Sequence, residues 1–201
     1  MTDAKTAKPA GITPSATVGP YFKYGLTPAN AYAWNDAFSA STLTPDAAGE
    51  RISIAGRVFD GDGAGIPDAL LEIWQADAAG RFAHPLQSGG ANASFRGFAR
   101  ADTTKDGDYR FDTIKPGRTP GPNGSTQAPH ILVAVFARGM LRHLYTRIYF
   151  ADETTANAAD AVLAVVPAAR RDTLFAKRDA SGVYRIDIRL QGGNETVFFD
   201  F

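Results

Sequence analysis

From residue 51 to its C-terminus the chain consists of short apolar or alternating runs cut by Gly, Pro and Asp, a punctuation that suits an all-β sandwich or barrel. "RISIAGRVF" (51–59) alternates, "DGDGAGIPD" (60–68) turns, and "ALLEIWQA" (69–76) is an apolar strand with Trp74 near its end. A hairpin is the simplest expectation for that pair. "KDGDYRF" (105–111) puts Asp106-Gly107 where a tight turn needs positive φ, ahead of a strand carrying Tyr109 and Phe111. "HILVAVFA" (130–137) is apolar on both faces and is followed, after a Gly-containing turn, by "LYTRIYF" (144–150). Such a strand belongs in the middle of a sheet or under a partner. The closing runs "VYRIDIRL" (183–190) and "ETVFFDF" (195–201) are expected as strands. An apolar strand at the end of a chain invites edge pairing, so it should be covered by its own sheet or by another chain.

Only "DETTANAADAVLAVVPAARRDTLFA" (152–176) has helical character, as one or two short segments broken at Pro167. Upstream, "TPSATVGPYFKYGL" (13–26) has neither helix nor strand period but carries Pro14, Gly19, Pro20 and aromatics, which marks it as an ordered arm. Residues 1–12 alternate small and polar side chains and are expected to be a disordered lead-in; they lack the apolar stretch of a secretory signal, so cytoplasm is the expected location. A length of 201 residues suits one substantial domain, here residues 13–201, and no internal repeat divides it.

Lys plus Arg and Asp plus Glu each total 21, so nothing in the charge balance favours nucleic acid or an anionic membrane as the main partner. The absence of cysteine excludes disulfides, thiolate metal sites and a cysteine nucleophile, leaving His, Asp, Glu or Tyr for any metal. "FDGDGAG" imitates a calcium loop at Asp60 and Asp62, but the twelfth position holds Leu71 where a bidentate Glu is required. No G-x-S-x-G occurs to carry a serine nucleophile. The three histidines, His84, His130 and His143, have no ligand spacing among them; His130 is followed two residues later by Leu132, and a buried imidazole bonded to backbone is the simplest local account of it. Arg138, Arg142 and Arg147 flank one strand pair, where a guanidinium fork can take a carboxylate or simply be solvated.

Taken together, "GRVFDGDGAGIPDALLEIWQADAAGRF", "GFARADTTKDGDYRFDTIKPG", "APHILVAVFARG" and "TRIYF" resemble the intradiol ring-cleaving dioxygenases, over a stretch from about Thr13 to Phe201. The arm "TPSATVGPY" and the ending "ETVFFDF" are similar to the iron-free α chains of that family's two-chain branch. Catalytic chains of the family bind a non-haem Fe(III) through two tyrosines and a His-x-His pair, hard phenolate oxygens being suited to ferric iron. The matching positions here are Phe82 in "GRF", Thr119 after "KPG", His130 and Leu132, so one ligand type of the set survives. The family's catalytic arginine and glutamine similarly match Gln127 and Arg147.

The resemblance therefore implies an all-β intradiol-type sandwich of mixed topology with no metal and no catalytic residue of its own. It implies an iron-bearing β chain as partner, and a joint activity that opens protocatechuate with O2 to 3-carboxy-cis,cis-muconate in the β-ketoadipate route of aromatic catabolism. The α chain's implied contribution is a wall of the partner's pocket. The residues that match this role are Arg138, as a contact to the substrate carboxylate, and Thr17, Gly19, Pro20 and Tyr21 in the arm. The alternative is a free-standing β-sandwich binding module related to the same family.

Overall fold

The computed structural model describes residues 14–19, 26, 39–84 and 95–200. Its longest strand, β1 (Arg51–Phe59), turns Ile52, Ile54 and Val58 inward and pairs along seven positions with antiparallel β4 (Asp108–Ile114), which buries Tyr109 and Phe111 on the same side. Opposite them, β2 (Leu70–Gln75) lies between β3 (Phe98–Asp102) and β7 (His130–Phe136), and β7 pairs in turn with β8 (Leu144–Phe150). The short β5 (Thr119–Pro120) and β6 (Thr126–Gln127) form a separate ribbon before β7.

Closure between the two halves comes from β9 (Phe175–Arg178), parallel to β8 and antiparallel to β10 (Tyr184–Arg185), while β10 and β11 (Ile188–Arg189) both run parallel to β1. The result is the mixed-topology sandwich expected from the sequence. Ile54, Val58 and Phe111 meet Leu71, Ile73, Ile131, Val133 and Ile148 in one apolar cluster. Each such side chain contributes about 1.5–3 kcal/mol on burial, and Ile54→Ala would cost about 2–5 kcal/mol by removing atoms from a place that cannot fully collapse.

The expected hairpin of 51–59 with 69–76 is not formed. Asp60 does close a tight turn, its Oδ1 accepting from Asp62 N (3.0 Å) and Ala64 N (2.8 Å) with Gly63 at φ 81°, but the chain then crosses to the other layer. Both strands have an apolar face to bury; they do so by facing each other across the core, and their backbone groups pair with β4 and with β3 and β7. The turn before β4 is as expected, with Gly107 at φ 86°.

"VYRIDIRL" divides into β10 and β11 at Ile186-Asp187. There the Ile186 carbonyl sits where a Cβ on Gly56 would stand and accepts from the Tyr109 hydroxyl at 2.7 Å, while the Asp187 carboxylate takes the Arg57 N–H at 3.0 Å. The C-terminal run is not a regular strand either: among residues 195–200 it makes a single bridge, Phe199 to Tyr145. Thr146 and Thr173 hydroxyls bond the Val197 backbone in place of a ladder. The run is nonetheless covered by its own chain, Phe198 against the main core and Val197 and Phe199 against a second cluster; Phe201 lies outside the described residues.

The helical insertion comprises α1 (Thr154–Ala158), α2 (Ala161–Val165) and a 3-10 segment (Ala168–Leu174), broken at Pro167 as expected and also at Asp160. Asp160 caps α2 by accepting from Val162 N and Leu163 N at 2.8 and 2.9 Å. It carries Leu163, Val166 and Leu174 onto Tyr149 of β8. No helix among the described residues is long and apolar enough to cross a membrane. The lead-in of residues 1–12 and half of the arm, residues 13 and 20–25, lie outside the described residues.

Candidate functional site

Side-chain alternation places Trp74, Leu132 and Arg147 in one cross-strand row on the outer face of β2, β7 and β8, and His130 beside Tyr149 in the next row. Phe82 stacks on Trp74 with ring centroids 6.1 Å apart, and Thr119 pairs with Gln127, whose Oε1 accepts from Arg147 Nη1 at 2.7 Å. The positions singled out by resemblance, Phe82, Thr119, His130 and Leu132, therefore flank one small region together with Gln127 and Arg147.

The chemistry of that region points inward. His130 is buried, its Nδ1–H donating to the Ala128 carbonyl at 2.8 Å and its ring tilted on Tyr149 at 5.7 Å. Burial, reinforced by the Arg147 charge and only partly opposed by the backbone bond, pushes its pKa down to about 4, so it is a neutral core imidazole near pH 7. Burial pushes Tyr149 up to about 12, which keeps a phenol rather than a phenolate. Its hydroxyl accepts from Arg147 at 3.2 Å and donates to Asp160 at 3.4 Å, while the other Asp160 oxygen accepts from Ala128 N at 2.7 Å.

These residues do not fit a ferric ion. Phe82 and Leu132 have no donor atom, Thr119 offers a neutral hydroxyl, and a guanidinium lies where cation binding would require anions. Among the described residues no three His, Asp or Glu side chains gather as a metal site. The local account of His130 as a core imidazole bonded to backbone agrees with this geometry.

At the far end of β7 the arrangement is reversed. Arg138 follows the buried Ala137, at a turn where Gly139 has φ 85°, and stays 54% exposed, held by one ion pair from Nε to Asp68 Oδ2 at 2.9 Å. Asp68 is only 10% exposed and its Oδ1 has no hydrogen-bond partner among the described residues, where the Arg138 guanidinium is its one ion-pair partner. A fork anchored through Nε by a nearly buried carboxylate is oriented without being used up, and its Nη groups can reach a second carboxylate.

Arm residues Ala16 and Val18 line a cleft of about 190 Å³ with Phe136, Ala137, Met140 and His143, on the turn that carries Arg138. Thr17 and Gly19 are exposed beside it, Thr17 bonding only the Val18 carbonyl at 3.2 Å. Pro20 and Tyr21 lie outside the described residues. Arg142, the third arginine of the set, is exposed and lines the same cleft. Asp68 is the residue that sequence reasoning missed: a contact between segments so far apart leaves no local signal. Asp160 did have one, an Asp directly before the apolar run "AVLAV".

Comparison with known proteins places this geometry in a family. The protocatechuate 3,4-dioxygenase alpha chain of Burkholderia cepacia is 51% identical over 195 residues, covering 94% of this chain and 96% of the relative. The beta chain of that enzyme from the same organism is 35% identical over 159 residues, covering 74% and 67% respectively. Among solved structures, the dioxygenase domain of a carbohydrate-binding fusion protein from Streptomyces sp. SirexAA-E superposes with a TM-score of 0.56 at 26% identity, covering 78% of this chain and 89% of that one. The model of the family described as "Dioxygenase" matches residues 18–192. With that match running through most of the sandwich, the chain belongs to the intradiol ring-cleaving dioxygenase family.

Proposed function

We propose that this chain is the iron-free α-type subunit of a protocatechuate 3,4-dioxygenase and works only beside an iron-bearing β-type chain. The observation that carries this reading is the contrast between a region where Phe82, Leu132 and the Arg147–Gln127 pair stand at the positions expected for metal ligands and a half-exposed, carboxylate-anchored Arg138. Greater identity to the alpha chain than to the beta chain of one organism supports the same division of labour. A cytoplasmic assembly fits this role.

In the assembled enzyme, ferric iron on the partner supplies catecholate binding and activation towards O2. This chain supplies recognition. Asp68 fixes the plane of Arg138, the Nη edge of Arg138 pairs with the ring carboxylate, and Thr17 and Gly19 contribute to the wall beside it, the role that the resemblance also implies for Pro20 and Tyr21. Excluding water strengthens that charge pair, since the same contact in bulk solvent is worth little.

The test is reconstitution. Expressed alone, the chain is expected to hold no stoichiometric iron, to lack phenolate-to-iron visible absorption and to leave protocatechuate intact; co-expressed with a β-type chain that carries both tyrosines and the His-x-His pair, it is expected to give a defined, iron-containing and active complex. One tightly held iron together with ring cleavage in the isolated chain overturns the assignment.

A further inference from the structure

The outer face of β3, β2, β7 and β8 holds a concavity of about 360 Å³, lined by Trp74, Phe98, Leu132, Ala134, Tyr145 and Arg147. Two charged groups line it, and they differ. Glu72 is neutralised by Arg100, which bonds its Oε1 through Nε at 2.8 Å and through Nη2. Arg147 has no ion pair among the described residues: Nη1 spends its hydrogens on the neutral Gln127 and Tyr149 oxygens, and the Phe199 ring lies 5.9 Å from its Cζ.

What remains on Arg147 is specific. Its Nε is buried and makes no hydrogen bond among the described residues, and none is made by Nη2. Nε–H and Nη2–H share one edge of the guanidinium, the edge that takes a carboxylate side-on through two parallel bonds. A buried N–H without a partner costs free energy that a ligand oxygen recovers, and a cation without an ion pair among the described residues, in an aromatic-walled concavity whose other charge, Glu72, is paired to Arg100, selects an anion with a flat apolar body.

We infer that this concavity is a binding site for aryl carboxylates, with the carboxylate on the Nε–Nη2 edge of Arg147 and the ring between Trp74 and Leu132. The site is separate from the proposed contact at Arg138 and does not depend on it, because Arg147 and Arg138 lie towards opposite ends of the β7–β8 pair.

The experiment titrates benzoate and its neutral isostere benzamide into the full-length chain purified with its partner, and counts bound ligand by calorimetry against iron content. The expected result is one benzoate per copy of this chain beyond those accounted for by iron, bound at least tenfold more tightly than benzamide. Arg147→Gln is expected to erase that preference while keeping benzamide binding, and Ala134→Trp, which fills the concavity and leaves Arg147 in place, is expected to abolish binding of both at this site. Absence of any benzoate beyond the iron-linked count, an unchanged preference in Arg147→Gln, or full binding in Ala134→Trp overturns the inference.

Discussion

The two ends of β7 carry polar groups in opposite situations. At the first residue His130 is buried, neutral and bonded to backbone, and the groups around it, Tyr149, Asp160, Arg147 and Gln127, bond one another. Just past the last residue Arg138 is half exposed, fixed by one carboxylate and otherwise directed outward. A buried polar network contributes to the stability of the fold, since low dielectric penalises polar groups left without a partner. An oriented charge at the surface is available to a ligand or to another chain. At the first end, His130 and Asp160 should therefore respond to mutation in stability, and at the second Arg138 in substrate recognition.

The largest effect is expected at Asp160, whose oxygens accept from three backbone N–H groups, Val162, Leu163 and Ala128. Asp160→Ala leaves those donors without the carboxylate and uncaps α2; at about 1–3 kcal/mol for each buried donor left unsatisfied, a loss of about 3 kcal/mol or more is expected in urea denaturation. A loss under about 1 kcal/mol would show that the region is not held by this network and would break the contrast between the two ends.

His130 gives a pH-dependent version of the same test. Its folded pKa of about 4 lies below the ordinary 6.5, so between those values the unfolded chain binds more protons and stability falls as the pH falls. The stabilisation is fully present above pH 6.5 and lost by pH 4, amounting to about 3 kcal/mol at 1.36 kcal/mol per pH unit. His130→Phe is expected to flatten stability over this window relative to the parent, whatever it does to the absolute value. An identical slope in the two proteins would mean that the imidazole titrates freely.

At the other end the expected readout is kinetic. Arg138→Ala in the assembled enzyme should raise KM for protocatechuate about 10- to 100-fold, from roughly 1.5–3 kcal/mol for a hydrogen bond to a charged group, with iron content unchanged. Catechol has no carboxylate and should be nearly indifferent. A parallel fall in kcat/KM for both substrates would make Arg138 a structural residue.

How much of this was legible in the sequence follows the range of the interactions. The cores of β1, β2, β4, β7 and β8 could be read from alternation and turn chemistry because those signals are local. The partner of β1 could not, because "RISIAGRVF" and "ALLEIWQA" look alike as apolar strands and only the packed sandwich decides which edges meet. The tail "ETVFFDF" was misjudged for a related reason: its apolar residues divide between two clusters, and threonine side chains replace a ladder that alternation alone would supply. Gly56 is a non-local case as well, its missing Cβ being filled by a carbonyl from the end of the chain. At the site, the residue types at Phe82, Thr119 and Leu132 could be read directly, whereas the Arg147–Gln127 bond and the Asp68 anchor required the fold.

Asp68 offers the smallest and most discriminating effect. Its carboxylate is nearly buried and carries an oxygen without a hydrogen-bond partner, yet it sits against the cation proposed to attract a negatively charged substrate. Asp68→Asn keeps an oxygen able to accept from Arg138 Nε, so the plane of the guanidinium is preserved, and removes the anion that competes for its charge. Orientation is then unchanged while attraction rises, and KM for protocatechuate is expected to fall about two- to five-fold, less than about 1 kcal/mol because a half-exposed cation is partly screened by solvent. Catechol again serves as the internal control and should not respond. The same argument sets the direction for the double variant: Arg138→Ala alone leaves an unpaired carboxylate in the wall of the pocket, adding repulsion to the lost contact, so Asp68→Asn should recover part of the protocatechuate defect of Arg138→Ala. A rise in KM for protocatechuate with Asp68→Asn, or a double variant worse than Arg138→Ala, would mean that the carboxylate acts by holding Arg138 in place with a strength the amide cannot match, and that orientation rather than net charge governs recognition at this end of β7.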